Sequence, residues 1–354
     1  MANTNLTGVY SVEDLLVVRN SSAAEFGQDK IFATLQADLA FYNEQVNEQL
    51  SVFAEPLTEQ IRTWGGSVMH RGTKIDQFGV APGKKGYVAS NVAFPIYDWS
   101  YSVGWTNKYL QKASPAELMS EYLAIRQGHA FDMTQEVKRA IFNNTNYTFV
   151  DKNNNGVSLT IKRLLNADGD SIPDYQGSSF NGSSHTHYVA RASALADSDI
   201  TNLVSNVTEH GHTTGLMIAI NIAQKATIAA LGGFTPLGSA LVAYNSTDTT
   251  KLTLDNSDLN NQMIGLWNDS IAVWVKPWVP ASYMLCLSTD ADKVLGYRQE
   301  KNPSLRGLRL AASMPNYPLM AETYESTYGF GVNARSSAAV LYIGATSWAN
   351  PTIS

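Results

Sequence analysis

Cysteine, charge and long apolar runs are all scarce in this chain of 354 residues. The one cysteine, Cys286, has no partner for an intrachain disulfide, so we expect a buried thiol in a protein made in a reducing compartment. Residues 1–10 contain neither the basic nor the apolar part of a secretory signal. The apolar stretch 216–231 is interrupted by polar residues and is too short to span a bilayer. These absences predict a soluble protein that is intracellular when made and has no membrane partner.

Charged residues make up only 16% of the chain, compared with about 25% in typical soluble proteins. The net charge is −6, and no cluster of Lys and Arg is present, which excludes a general nucleic-acid binder because such binding depends on neutralising phosphates. Low charge with 7 Trp and 17 Tyr is typical of the cores of extensive protein interfaces. A neutral soluble surface has the same composition, so composition alone leaves both interpretations open.

Sequence motifs of the common enzyme classes are also missing. The chain has no Gly-x-Ser-x-Gly, no Gly-x-Gly-x-x-Gly, no P-loop lysine motif and no Cys-x-x-Cys. We therefore expect no catalytic residues and no cofactor.

Histidine placement is the strongest enzyme-like signal. Two His-x-His pairs, His185 with His187 and His210 with His212, lie close in sequence together with Glu209. Such pairs occur at zinc sites, which makes a metal-dependent hydrolase the alternative function. The His-Glu-x-x-His motif is absent, and both pairs lie among Gly, Ser and Thr in predicted loops. We therefore expect no required metal centre and less than stoichiometric zinc.

Two acidic turns resemble calcium loops without completing them. Asn166, Asp168, Asp170 and Asp174 place oxygens at alternating positions, but Ser171 stands where a sharp turn favours Gly. Residues 151–156 begin like an EF-hand, but Lys162 occupies the place of the bidentate Glu. Asx-rich turns form without an ion, so we expect ordinary turns at both places.

A Gly-rich arm separates two predicted helices. Apolar residues recur every three or four positions from 28 to 64, with Pro56 expected to kink or interrupt this helix near its end. Residues 66–107 follow as an extended arm whose returning half, 87–94 and 98–105, is predicted to form a two-stranded ribbon. Ordering so long an irregular segment requires contacts that a lone domain cannot supply. We therefore expect a neighbouring copy of the chain, that is, a self-assembling subunit.

The second helix has a clear start signal and leads into a mixed lobe. Ser114 and Glu117 form a capping box around Pro115, and one apolar face continues to residue 143 and includes His129, which we expect to be a packed core histidine. A helix is then predicted to begin near residue 197. Further strands are predicted at 215–221, 270–275, 283–287 and 338–343. This order predicts an α+β protein with two lobes.

Several short sequence segments are similar to those of a known family. They are Val-Ala-Phe-Pro-Ile at 92–96, the segment 103–110 before the second helix, and the segments 164–169, 180–188 and 324–332. With this order of elements, the chain resembles the major capsid proteins of tailed bacteriophages, whose fold is named after phage HK97.

The resemblance implies a domain organisation and a function. It implies an N-terminal arm and helix at 1–65, an E-loop at 66–108, a peripheral domain at 109–189 with a spine helix at 114–143, an axial domain at 190–310 and a C-terminal return at 311–354. The implied protein forms the hexamers and pentamers of an icosahedral shell in the virion, assembled in the host cytoplasm.

The resemblance also implies partners and a contact. The partners would be scaffold, portal and decoration proteins, with the packaged DNA contacted only non-specifically. The tip of the E-loop would contact a neighbouring subunit through Pro82, Gly83, Lys84, Lys85 and Gly86. Some family members cross-link an E-loop Lys to an Asn of a neighbour, although adjacent lysines in a Gly-rich loop are more commonly solvated charges.

Overall fold

A computed structural model of the chain describes residues 10–67, 87–192, 194–237, 262–316 and 319–353, together with the single positions 72, 74, 75, 77 and 79. The helices of this part of the chain are α1 Val12–Leu16, α2 Ala23–Phe26, α3 Gln28–Leu50, α4 Asn107–Lys112, α5 Pro115–Phe142, α6 Asp197–Thr208 and α7 Lys225–Ala229. Short 3-10 helices span Ile222–Gln224 and Pro303–Leu305. None of the helices in the described ranges is long and apolar enough to cross a membrane.

The strands occur mostly in runs between these helices, as expected for an α+β protein. They are β1 Ala54–Leu57, β2 Ile61–Ser67, β3 Tyr87–Ala93, β4 Tyr97–Thr106, β5 Tyr147–Asp151, β6 Val157–Ile161, β7 Tyr188–Arg191, β8 Leu216–Ile220, β9 Phe234–Pro236, β10 Gln262–Trp267, β11 Ile271–Val275, β12 Tyr283–Ser288, β13 Leu295–Gln299, β14 Arg309–Asn316, β15 Leu319–Val332 and β16 Ala338–Ile343.

The chain divides into two compact units, each made of three separate segments. Unit 1 comprises Met1–Val52, Ile96–Gln135 and Arg298–Gly329. Unit 2 comprises Phe53–Pro95, Glu136–Tyr297 and Phe330–Ser354.

Unit 1 is built on the predicted helix stripes. Helix α5 begins where its capping box predicted, because the Ser114 N–H donates to Glu117 Oε2 at 2.8 Å and the Glu117 N–H donates back to Ser114 Oγ at 3.4 Å. The apolar faces of α3 and α5 form one core, which contains Ile31, Leu35, Leu39, Tyr42, Leu118, Met119, Tyr122 and Ile125. A sheet of antiparallel pairs, β4 with β15 and β15 with β14, completes this unit.

Unit 2 contains a mixed sheet of seven strands in the order β7-β16-β12-β8-β11-β10-β9. Strand β12 lies inside the sheet between β16 and β8, and all six of its residues are buried, which explains why Tyr283 to Leu287 form a continuous apolar run. Cys286 in this strand is fully buried, as predicted, and burial raises the pKa of its thiol to about 12. Helix α6 adds Ile200, Leu203 and Val207 to the same core.

The predicted first helix is too long. The structure ends α3 at Leu50, and the chain continues into strand β1, which contains Pro56. A proline within a helix removes a backbone hydrogen bond and clashes with the preceding turn. The sequence predicted that Pro56 would kink or interrupt the helix, and in the structure the helix has already ended before Pro56.

The predicted pairing of the ribbon is also wrong. Strands β3 and β4 form near the predicted residues, but β3 pairs with β2, with Ile61 opposite Ala93 and Ser67 opposite Tyr87. Strand β4 pairs with β15 instead. The partner of β3 is not evident from the sequence, because the apolar spacing of the first helix continues through residues 61–64, which form part of β2.

Candidate functional site

Three of the four clustered histidines meet in unit 2. His185 and His187 precede β7, whereas Glu209 caps the C-terminus of α6 and His210 follows it. Two backbone hydrogen bonds fix the first pair: the Ala167 N–H donates to the His185 carbonyl at 2.9 Å, and the His187 N–H donates to the Leu165 carbonyl at 2.7 Å. Sequence spacing alone could not reveal that the end of α6 lies beside this segment.

The imidazoles converge through the same ring atom. Nε2 of His210 lies 3.0 Å from Nε2 of His185 and 3.1 Å from Nε2 of His187. Oε1 of Glu209 lies 3.5 Å from Nε2 of His185 and 3.9 Å from Nε2 of His210. One ligand atom from each of these four residues falls within 4.8 Å of the other three.

Burial favours the neutral form of the three imidazoles in this cluster. It lowers the pKa of His185, of the fully buried His187 and of His210, whose pKa falls to about 3 with further contributions from His185 and His212. Burial also raises the pKa of the Glu209 carboxyl. Neutral imidazoles carry a lone pair, which is the form that binds metal ions.

His212 does not belong to this group, which corrects the set of four suggested by sequence. Its Nε2 lies 3.1 Å from Ser336 Oγ, and burial lowers its pKa. Glu209 takes the fourth place instead. His-x-His spacing is thus a poor guide to position here. Gly211, which lies between His210 and His212, has a positive φ of 93° and turns the chain.

The acidic turn at 166–174 is paired with cationic side chains of the same chain. The Arg335 guanidinium donates to Asp168 at 2.8 Å, to Asp170 at 2.6 Å and to Asn166 Oδ1 at 3.1 Å. Lys162 adds contacts of 3.3 Å to Asp168 and 3.1 Å to Asp170. These oxygens therefore face fixed positive charges, an arrangement that disfavours calcium at the same atoms.

Asp174, the last calcium candidate, is exposed on the loop. The second acidic turn, between β5 and β6, is an ordinary hairpin turn in which the Gly156 N–H donates to the Asp151 carbonyl at 3.0 Å. Asn155 and Gly156 both have positive φ there, as such turns require.

The predicted contact tip, Pro82 to Gly86, lies outside the described residues. The aromatic stem that follows it is described and packs within unit 1. Trp99 stacks on Tyr328 with ring centroids 5.5 Å apart, and the Tyr101 hydroxyl donates to Asp132 at 2.8 Å. Trp105 is buried in the core of the same unit. In this structure the aromatic stem therefore lies on unit 1 of its own chain.

Comparison with known proteins identifies the fold. Neither a protein-family model nor a curated protein matches the sequence. A solved structure from Mycobacterium phage Patience aligns with a TM-score of 0.69 at 19% identity, covering 99% of this chain and 97% of that chain. The chain has an HK97-like fold.

Other solved structures align less well. Two chains described as the capsid of the empty and of the native GTA particle align with TM-scores of 0.48 and 0.46 at 13% and 12% identity. Each alignment covers 84% of this chain and 90% of the other. Because both scores lie below 0.5, the fold assignment rests on the phage Patience structure.

Proposed function

We propose that the chain is the major capsid protein of a tailed bacteriophage and that its copies self-assemble into the icosahedral shell around the phage genome. The observation that carries this proposal is the HK97-like fold, shared over nearly the full length of both chains with a phage protein. In such a shell the work is mechanical, since many weak contacts per subunit multiply over a closed surface.

The surface of the chain is compatible with this role. Phe41 and Phe131 in unit 1 are 57% and 53% exposed, and Val150 and Val157 on the β5–β6 hairpin of unit 2 are 50% and 42% exposed. Single exposed apolar residues are normal in a monomer. In a shell, side chains of this size are candidates for burial between subunits, as are other parts of a surface with few charges.

The domain assignment made from the sequence belongs to the same proposal. In it, residues 66–108 form an E-loop that reaches a neighbouring subunit, 109–189 a peripheral domain and 190–310 an axial domain. The partners would be further copies of the chain, with scaffold, portal and decoration proteins, and the site of action would be the virion. The comparisons lend no support to the alternative, a metal-dependent hydrolase.

Assembly is the direct test. The full chain should be expressed alone and together with its scaffold, purified, and examined by light scattering and negative-stain electron microscopy. We expect closed particles or oligomers the size of a pentamer or hexamer. A well-folded chain that stays monomeric under every assembly condition would refute the proposal.

The contact tip allows a sharper test. Deleting residues 82–86 should leave the melting temperature of the unassembled subunit unchanged but lower the yield of particles, because the tip is expected to contact only another subunit. The double variant Lys84→Gln, Lys85→Gln keeps the loop length and separates loss of charge from loss of the tip. Normal assembly of the deletion would show that the loop is not an intersubunit contact, and loss of cooperative unfolding would show that it belongs to the subunit core.

A further inference from the structure

We propose that His185, His187, His210 and Glu209 form a structural site for one divalent transition-metal ion, most suitably Zn²⁺. The residue types fit, since Zn²⁺ is bound by imidazole nitrogen and carboxylate oxygen in four-coordinate sites. The sequence disfavoured such a site because no ligand motif is present. The fold brings the ligands together without a sequence motif, because it places the end of α6 beside the segment before β7.

The distances are close to those of a tetrahedral site. Four ligands about 2.0–2.1 Å from a zinc ion are separated from one another by roughly 3.3 Å. The contacts of His210 Nε2 with the other two imidazoles measure 3.0 and 3.1 Å, and those of Glu209 Oε1 measure 3.5 and 3.9 Å. All four atoms lie within 4.8 Å of one another, so small side-chain adjustments complete the coordination.

Hydrogen bonding alone satisfies this cluster poorly. Nδ1 of His187 lies 2.6 Å from the Ala338 carbonyl and must carry a proton to donate to it, so the neutral ring presents a lone pair at Nε2. The Nε2 atom of His210 can carry one proton, but it has close nitrogen neighbours on both sides, at His187 and at His185. A proton on His210 therefore cannot make a good hydrogen bond to both neighbours, and a second proton on His185 directed at His210 would collide with the first. A cation at the centre would satisfy every lone pair at once.

Glu209 provides an independent sign of a missing partner. Its Oε1 atom is shielded from solvent and accepts no hydrogen bond from the described part of the chain, although it faces the imidazoles. A buried carboxylate oxygen without a donor is costly. Binding a divalent cation would remove this cost.

The surroundings of the ligands match those of known metal sites. The hydrogen bond from His187 Nδ1–H to the Ala338 carbonyl orients the ring, as the outer partners of metal-ligating histidines do. The ring of Phe180 lies over two ligands, with its centroid 4.2 Å from that of His210 and 5.0 Å from that of His185. This apolar cover limits access of water to the cluster.

The ligand set indicates a structural metal site rather than a catalytic one. Four protein ligands leave no open position for substrate, which is the mark of a structural zinc site. The ion would join the C-terminus of α6 to the start of β7, at the edge of the seven-stranded sheet. It would thereby stabilise unit 2 without adding an enzymatic activity.

The test uses the full chain, stripped of metal with a chelator and then titrated with Zn²⁺. We expect one zinc per chain by elemental analysis, a higher melting temperature with zinc than with chelator, and the visible absorption of tetrahedral Co²⁺ when cobalt replaces zinc. His185→Ala should weaken zinc binding at least about tenfold, and Glu209→Gln should weaken it and alter the cobalt spectrum. Because His185 is partly exposed, its loss should leave the chain folded; if it does not, Glu209→Gln decides.

His212→Ala is the matched control, because this neighbouring histidine is also largely buried but lies outside the ligand group. We expect it to bind zinc as the wild type does. The proposal fails if the wild type takes up less than one equivalent at saturating zinc, or if His212→Ala and His185→Ala weaken binding equally. Neither result bears on shell assembly, which is measured separately on metal-free and zinc-loaded protein.

Discussion

Replacement of Arg335 by Met should be among the most destabilising single changes in unit 2. The Arg335 side chain has no exposed surface, and its guanidinium donates to the Asp168 and Asp170 carboxylates and to the Arg163 carbonyl, the last at 2.7 Å. Methionine has a similar volume but donates no hydrogen bond. The variant therefore leaves two carboxylates and several buried carbonyl and amide oxygens without their donor.

The size of the effect follows from burial. Breaking a buried ion pair by removing one partner costs about 3–5 kcal/mol. Asp168 and Asp170 keep 15% and 20% of their side-chain surface exposed, and Lys162 remains close to both. These two facts place the expected loss near the lower limit, about 3 kcal/mol in the free energy of unfolding. For a unit of this size that corresponds to a fall of roughly 6–12 °C in melting temperature.

Low pH should reduce the difference in stability between the wild type and Arg335→Met. Burial alone would raise the pKa of the Asp168 carboxyl, but the nearby Arg335 charge and hydrogen bond, with those of Asn146 and Lys162, outweigh it and lower the pKa below the ordinary 3.8. A carboxyl with a lowered pKa stabilises the folded state above its unfolded pKa, and this stabilisation is lost as the pH falls through the folded value. We therefore expect wild type and Arg335→Met to become more alike below about pH 4.

The assay is unfolding of the unassembled full chain in guanidinium chloride at pH 7 and pH 3.5. Arg309→Met is the matched control, because Arg309 pairs with Glu325 at 2.8 Å at a site where both side chains are considerably exposed. Such pairs contribute about 0–1 kcal/mol. The reasoning is wrong if the two variants lose equal stability at pH 7, or if the loss caused by Arg335→Met is undiminished at pH 3.5.

Three further substitutions test other parts of the fold. His129 is buried between Tyr42 and Ser326, and burial lowers its pKa to about 4. Between pH 6.5 and 4 this histidine is therefore protonated in the unfolded chain but neutral in the folded chain. His129→Gln should therefore reduce the loss of stability over this range by up to about 3 kcal/mol, measured by chemical unfolding at several pH values, and an unchanged pH dependence would contradict this account. A Cβ at Gly182 would collide with the backbone carbonyl of Asp170, so Gly182→Ala should cost at least about 3 kcal/mol. Gly128→Ala in helix α5 meets only ordinary contacts of 3.8 Å with Tyr101 and should gain about 0.5–1 kcal/mol; similar melting temperatures for the two alanine variants would show that the close approach is unimportant.

Local signals in the sequence predicted the elements that they encode directly. The capping box at Ser114 predicted the start of α5 to the residue, and the continuous apolar run around Cys286 predicted a buried strand. The pattern failed after Leu50, because apolar spacing persists into Phe53 and Leu57 although the backbone there enters a strand. Spacing of three and four residues is compatible with both structures over so short a stretch, and only the pairing of distant strands decides between them.

The candidate site failed to emerge from sequence for a related reason. The sequence pointed to His185, His187 and His210, but included His212 and gave Glu209 no distinct role. It gave no sign of Arg335, which occupies the acidic turn from 165 residues away in the chain. Charge pairs and ligand groups of this kind depend on tertiary contacts, and no local pattern records them.

The two polar clusters of unit 2 serve one stretch of chain. Between β6 and β7 the backbone forms isolated bridges and turn hydrogen bonds but no strand ladder, so side-chain contacts add to the interactions that offset the ordering of residues 162–187. Arg335 holds the first half of this stretch through Asp168 and Asp170, and the Ala338 carbonyl holds the second half through His187. Both contacts start from the turn before β16 and from the first residue of that strand, so one short segment of chain holds both the acidic turn and His187. A metal ion at the histidines would therefore reinforce a segment that Arg335 already anchors.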